Sequence, residues 1–493
     1  MNTTTKNIFL TASLLALFAG GCRKIEIDGT VNSGNGNGAG NTGGSGGTGQ
    51  TITLRGRIDS NMTLTKANNY ILQGKVYIVN NKTLTVEAGT TIKGNYSGSD
   101  VAVLTITRGA KIVAAGNQDN PIVFTSSSPA PASGDWGGII ICGKANINST
   151  FTGTGGGQGI FQVEGGIDNA NGDGLAGGGA TPDDNDSSGV LQYVRIEYAG
   201  YAFQPDKEVN SLTMAAVGRK TVIDHIQVTY AKDDAFEWFG GTVNCKYLIA
   251  YKTQDDDFDT DNGYSGSVQF GLIVRDSLIA DASRSEAFES DNNANGDAIL
   301  PQTKAVFSNV SAFGPLASLN NIGSSNYLGS AAQIRRNSSI SIFNTAIVGW
   351  PSGIEISAAL GTPTDNNITA GTLKLSGIVI AGCRKPINYV ASTTAPTGAT
   401  EASITTAFLA NTKNKVLTNV DDIRYTRPFD YNNADFIPFG TSTLVISTAS
   451  NTYFDDPVIA ARAPFIEKVD FIGAIAPSGP YGNWHKGWTR FNN

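Results

Sequence analysis

Histidine is almost missing from this chain, with only His225 and His485 in 493 residues. That scarcity excludes histidine-rich metal sites, and no serine–histidine–acid set or nucleophile elbow is present to support acyl transfer. Cysteine is scarce as well: Cys22, Cys142, Cys245 and Cys383 make up the set. No Cys-x-x-Cys or Cys/His zinc spacing occurs. Without Cys22 the remaining three are odd in number and far apart, which reads as buried free thiols serving as small hydrophobes. Basic charge is short, 35 Lys and Arg against 42 Asp and Glu for a net −7. With no interleaving of basic and aromatic residues, this argues against a nucleic-acid partner. Phosphate and dinucleotide loops are absent too, since the glycine-dense stretches Gly153 to Gly157 and Gly177 to Gly179 lead into no helix. Beyond residue 51 there is no sustained helical period, charge run or proline-rich break.

The one long apolar run, Ile8 to Ala19, is too short to span a bilayer as a helix. It follows Lys6 and closes on Ala19-Gly20-Gly21 just before Cys22. Residues 1–21 therefore resemble a bacterial lipoprotein signal, cleaved before a cysteine that receives the lipid. Ala19 replaces the leucine usual three positions before that cysteine, and an ordinary secretory signal is the alternative. Residues 22–50 follow as a tether, whose stretch 30–50, almost wholly Gly, Asn, Ser and Thr, has a flexible reach of roughly 25 Å. This layout implies a protein held off a membrane by lipid on Cys22. Arg23 and Lys24 precede the acidic Glu26 and Asp28.

The body, residues 51–493, is built of repeats. Leu84-Thr-Val-Glu-Ala-Gly-Thr-Thr-Ile92 superposes on Leu104-Thr-Ile-Thr-Arg-Gly-Ala-Lys-Ile112 with a 20-residue offset, each reading as a strand, a glycine corner and a strand. Similar apolar alternation recurs at Leu191 to Tyr198, Val222 to Tyr230, Lys246 to Tyr251, Ser277 to Ala280, Phe343 to Val348 and Ser376 to Ile380. Rungs of 20 to 30 residues point to an all-β chain wound as a parallel β-helix of ten to twelve rungs, roughly 50 Å long. A sandwich or a propeller is the alternative. The tail, Tyr481 to Phe491, carries large aromatics that read as a cap or as packing on the side of the last rungs, or else as a sugar platform.

Five aspartates fall within Asp255 to Asp261. Asp234-Ala-Phe-Glu237, Asp256-Asp-Phe-Asp259 and Glu286-Ala-Phe-Glu289 set this run in register, and Ser352-Gly-Ile-Glu355 has the same form two rungs later. Phe236, Phe258, Phe288 and Ile354 should stack inside, leaving Glu237, Asp259, Glu289 and Glu355 as an outward acidic ladder about 5 Å apart. Asp257, Asp261 and Asp291 are expected on the same side. Such a column is costly unless a cation, a proton or solvent screens it. It reads as a solvated face, as a calcium site, or as a catalytic acid pair.

Hard oxygen clusters suit Ca²⁺. Loops add candidate ligands: Asp184, Asp186 and Ser188; Asp257, Asp259 and Asp261; Asp291, Asn293 and Asn295. None is an EF-hand, because Arg195 and Gln302 stand where the bidentate Glu of the first and last would be. For catalysis, Asp234, Asp256 and Asp257 could work on a glycosidic bond. The Asp233-Asp234 and Asp256-Asp257 pairs resemble those of polygalacturonase-like enzymes, but that family's His-Gly and Arg-x-Lys rungs are missing. A lyase would need calcium plus a base, for which Lys252 and Arg284 are near in sequence, though surface salt bridges suit both. His225, out of phase with Ile226, Val228 and Tyr230, is expected to be exposed.

Larger motifs carry a family resemblance. They are Leu84 to Gly94, Gly134-Asp-Trp-Gly-Gly-Ile139, Asp183 to Tyr198, Asp233-Asp-Ala-Phe-Glu-Trp-Phe-Gly-Gly241 and the terminal Trp-Thr-Arg-Phe. Across most of residues 70 to 491 the chain resembles Bacteroidetes-type surface lipoproteins with a right-handed parallel β-helix, pectin-lyase-like body. The resemblance implies the fold and a surface location, and no activity. Many relatives end in a C-terminal sorting domain, which this sequence does not show, in keeping with a lipid anchor. The expected function is a binding or scaffold module for a polysaccharide or an envelope protein, its loops stabilised by calcium. A calcium-dependent polysaccharide lyase or glycoside hydrolase is the alternative.

Overall fold

The computed structural model describes residues 49–204, 208–315, 327, 329–446 and 451–491. The signal 1–21, Cys22 and all but the end of the tether lie outside the described residues. From Thr51 onward, short strands pair in parallel into one 26-stranded sheet coiled as a right-handed parallel β-helix. One column of strands counts the rungs. It runs from 56–58 and 76–78 through Val103–Ile106, Ile139–Cys142 and Leu212–Ala215. It continues through Phe236–Phe239, Phe258–Asp261 and Phe288–Ser290 to Ser330–Ile334, Ser352–Ser357 and Lys385–Val390. These eleven strands, at about 4.8 Å each, give a rod about 50 Å long.

The 20-residue offset is not the rung. Leu84 pairs with Ile112 and Leu104 with Val76, so the rung there is 28 residues. The superposed segments are strand–corner–strand units on different sides of the coil. Both turn on a glycine, Gly89 at φ 80° and Gly109 at φ 86°, where a side chain would be strained. A unit used more than once per turn repeats faster than the turn itself.

Inside the coil, Phe236, Phe258 and Phe288 form a column of edge-to-face rings with centroids 5.7 and 5.8 Å apart, and Ala332, Ile354 and Ile387 continue the column. The expected ladder thus forms, with the rung of Ala332 between Phe288 and Ile354. Cys142, Cys245 and Cys383 are buried free thiols. A second core lies outside the coil. There residues 423–446 and 451–488 cover the sheet that contains Asn244–Tyr251 and Ser267–Val274. The tail runs back along this flank: Gln118 Nε2 donates to the Lys486 carbonyl at 2.9 Å and Gln227 Nε2 to that of Arg490 at 2.7 Å. Trp484 and Trp488 are buried in this contact. Trp484 and Trp488 are therefore packing groups with no open ring face for a sugar, while Tyr481 and Phe491 are half-buried.

One corner of the coil explains a further departure. Tyr193, His225, Tyr247 and Phe270 occupy the same place on consecutive rungs, and all take left-handed φ between 49° and 64°. A left-handed residue turns its side chain out of the alternation of the strand around it. His225 is consequently buried rather than exposed. It stacks between Tyr193 at 4.2 Å and Tyr247 at 4.3 Å, with the Trp488 edge at 5.7 Å. Asp224 pairs with its Nδ1.

Candidate functional site

Each acid-x-Phe-acid motif places two carboxylates on the uncovered face. The strand Phe236–Phe239 turns Phe236 inward and Glu237 outward, and parallel register stacks Glu237, Asp259, Glu289, Gln333 and Glu355 in one column. The motif's first acid stands at the corner before the strand, where Asp234, Asp256 and Glu286 form a second column. Asp234 Oδ1 accepts the Asp256 N–H at 2.9 Å, and Asp256 Oδ1 accepts that of Glu286, so each corner acid holds the next rung. These catalytic candidates therefore have one oxygen engaged in the fold.

The two columns, without Glu355, floor a cleft of about 220 Å³. Corner residues Asp233 and Asp255 add two carboxylates, and Glu164 adds one from the excursion between Cys142 and Gly189. Against these nine acids stand two guanidiniums, Arg284 and Arg335. Three sets of oxygens converge to within 4.8 Å of one another: Asp233, Asp234 and Asp255; Asp234, Glu237 and Asp259; Asp256, Glu286 and Glu289. The face is a walled recess: Glu237 and Asp256 are only 7 % and 5 % exposed, less than the solvated-face reading, one of the three, supposes.

Burial, then the neighbouring carboxylates, drives Asp234, Glu237, Asp256 and Asp259 well above the usual carboxyl range. The same causes raise Asp255 to about 7. Glu289 reaches about 8 through burial, although Arg335 opposes this. Arg335 is ion-paired to Glu289 and, at 2.9 Å, to Asp291. Its burial favours the neutral form, but those carboxylates outweigh it and raise its pKa further. Arg284 lies 2.9 Å from Glu286 and 3.5 Å from Glu355. Glu355 is also satisfied by Gln333 and Asn388 amides at 2.8 and 2.6 Å, so the ladder's last acid is neutralised locally. At Asp259, Oδ1 is buried with no hydrogen-bond partner.

Among the residues expected to hold calcium, Asp259 alone falls in a convergent set. Asp257 does not face the cleft. Register puts it in a column with Ala235, Ala287 and Ala331, which is turned to the core, and there it pairs with Arg275 at 3.2 Å, both fully buried. Asp261 is half-buried and lies beside Asp291, which two guanidiniums, Arg335 and Arg336, neutralise. Asn293 Oδ1 accepts the N–H groups of Asn295 and Asp297, closing a turn, while the Asn295 side chain is exposed. Asp184 accepts both Asn146 donors at 3.0 Å, and Asp186 accepts the Lys144 N–H at 3.0 Å. Ser188 is buried against Thr221. These three pin a loop to its neighbours. Lys252 pairs with Asp276 at 3.1 Å, partly buried. Sequence reasoning missed Arg335 and the walls at Glu164 and Asn210, which belong to no repeated motif. Glu286 was legible as the third acid of its column.

A family model described as a pectate-lyase-like β-helix domain matches residues 56–423, which takes in every rung and stops where the covering segment starts. No curated protein and no solved structure matches the chain.

Proposed function

The chain belongs to the pectate-lyase-like β-helix family, and from that premise we propose that it is a non-catalytic binding module. Its acidic cleft would hold Ca²⁺ and, through the ion, the carboxylates of an acidic polysaccharide. The observation that carries this reading is the convergence of Asp256, Glu286 and Glu289 oxygens within 4.8 Å in a cleft with nine acids and two arginines. Carboxylates so close repel unless a proton or cation lies among them. Hard oxygen donors suit Ca²⁺, which takes 6–8 oxygens and readily shares its shell with a ligand. The buried, unpartnered Oδ1 of Asp259 offers one more donor.

The lyase alternative needs a neutral base beside the ion. Both arginines of the cleft are already engaged by carboxylates, Arg284 by Glu286 and Arg335 by Glu289, which leaves neither free to serve as that base and supports binding over elimination. The direct test is calorimetric titration with Ca²⁺, followed by retention on polygalacturonate or alginate with calcium and with chelator. Calcium-dependent retention without release of unsaturated products supports the module, and turnover abolished by Glu289→Gln would replace it with the lyase. Calcium binding with no glycan retained would redirect the search to an envelope protein partner. The same reading places the protein at the outer membrane through lipid on Cys22. Detergent-phase partitioning lost in Cys22→Ser checks this.

A further inference from the structure

A second cleft, of about 500 Å³, has the opposite charge. Arg219, Lys304 and Arg462 line it against a single acid, Asp184. That acid already accepts two hydrogen bonds from Asn146 and stands 3.8 Å from Arg219. Lys304 and Arg462 make no ion pair among the described residues. Arg462 instead donates to backbone carbonyls, to Ser265 O at 2.7 Å and to Lys304 O at 3.2 Å. A guanidinium fixed by neutral carbonyls, beside two more cations, keeps its charge uncompensated. Burial, with Arg219 adding to it, lowers the Arg462 pKa despite the opposing influence of Tyr264. An arriving anion would relieve that cost.

The rest of the lining indicates what carries the anion. The space exceeds that of a lone oxyanion and falls in the range of about 300–1,000 Å³ usual for small-molecule sites. Asn244, Thr242 and Ser267 bring amide and hydroxyl groups, and Phe465 brings an apolar ring. Guanidiniums bind carboxylates and tetrahedral oxyanions alike through paired N–H bonds. We propose that this cleft is a second ligand site, which binds an anionic saccharide through its carboxylate or sulfate groups without calcium.

The test is calorimetry on the mature full-length chain in chelator. The probes are a tetragalacturonate, a sulfated disaccharide and a neutral oligosaccharide of matched length. Arg462 supports two carbonyls, so the variants are at the exposed positions: Arg219→Gln with Lys304→Ala. The acidic probe, the sulfated probe or both should bind, and the neutral one should not. The double variant should weaken binding by about tenfold or more while leaving the calcium-induced rise in melting temperature unchanged. Competition by inorganic sulfate, absent with chloride at equal ionic strength, gives a readout that needs no variant. The inference fails if neither anionic probe binds in chelator better than the neutral one, or if the double variant binds as the parent does. Retention that needs calcium and is lost in Glu289→Gln would sink this inference and leave the acidic-cleft reading standing.

Discussion

Consider the chain stripped of divalent cations and melted at about pH 5 and again at about pH 8. In the folded state Asp255 titrates at about 7 and Glu289 at about 8, against ordinary values of 3.8 and 4.5. Raised pKa values mean that the folded chain holds protons the unfolded chain has released. The stability contributed by those protons is complete below about pH 4 and is lost as pH rises through about 7 to 8. Carrying one carboxyl from 3.8 to about 7 corresponds to about 4 kcal/mol at full ionisation. For a body of about 440 residues the unfolding entropy is about 0.9 kcal/mol per degree, so Asp255 alone lowers the melting temperature by about 4 °C.

Calcium should reverse this. It binds ionised carboxylates and competes with protons, so its effect should be small at about pH 5 and greatest at about pH 8. At a hundredfold excess over its dissociation constant one ion adds about 2.7 kcal/mol, or about 3 °C by the same entropy. Asp259→Asn with Glu289→Gln should abolish the calcium effect and raise the melting temperature in chelator, since less repulsion remains. Differential scanning calorimetry reads all of these. A melting temperature in chelator that is flat or rises with pH would refute the electrostatic argument. A calcium shift of equal size at both pH values would refute the assignment of the ion to these carboxylates.

Arg275→Met should cost about 3–5 kcal/mol in urea unfolding by leaving Asp257 buried without its partner. Asp257→Ala, which matches the alanines above and below, should recover most of that loss in the double variant, and an additive result would contradict the pairing. Trp488→Ala should cost about 3–5 kcal/mol and make the segment after Phe471 the first to be cut in limited proteolysis. Unchanged melting and cleavage would mean that the tail contributes little. The thiols of Cys142, Cys245 and Cys383 are each pushed up to about 12, by burial first. A thiol reagent at neutral pH should therefore label none of the three before unfolding, and a fast native reaction would contradict their burial.

What the sequence disclosed and what it hid have one physical cause. Parallel register multiplies a motif, so Phe236, Phe258 and Phe288, with the acids one place after them, were readable from spacing alone. Alternation describes residues inside a strand, and it fails at corners. There Asp257 turns to the core beside Arg275, and His225 takes a left-handed φ and enters a stack. Counter-charges arrive by other routes: Arg284 comes from a long loop, and Arg335 from the rung after Glu289. Their places depend on the coil as a whole, which no local pattern records. The same register explains how so costly a cleft persists. Each acid is fixed by backbone pairing on both sides, so repulsion cannot spread the columns apart without breaking ladders of hydrogen bonds. Corner acids strengthen those ladders, since Asp234 and Asp256 each accept an N–H from the next rung. An acidic column on a flexible loop would relax by moving. On stacked rungs its relief must come from outside, as protons or as cations.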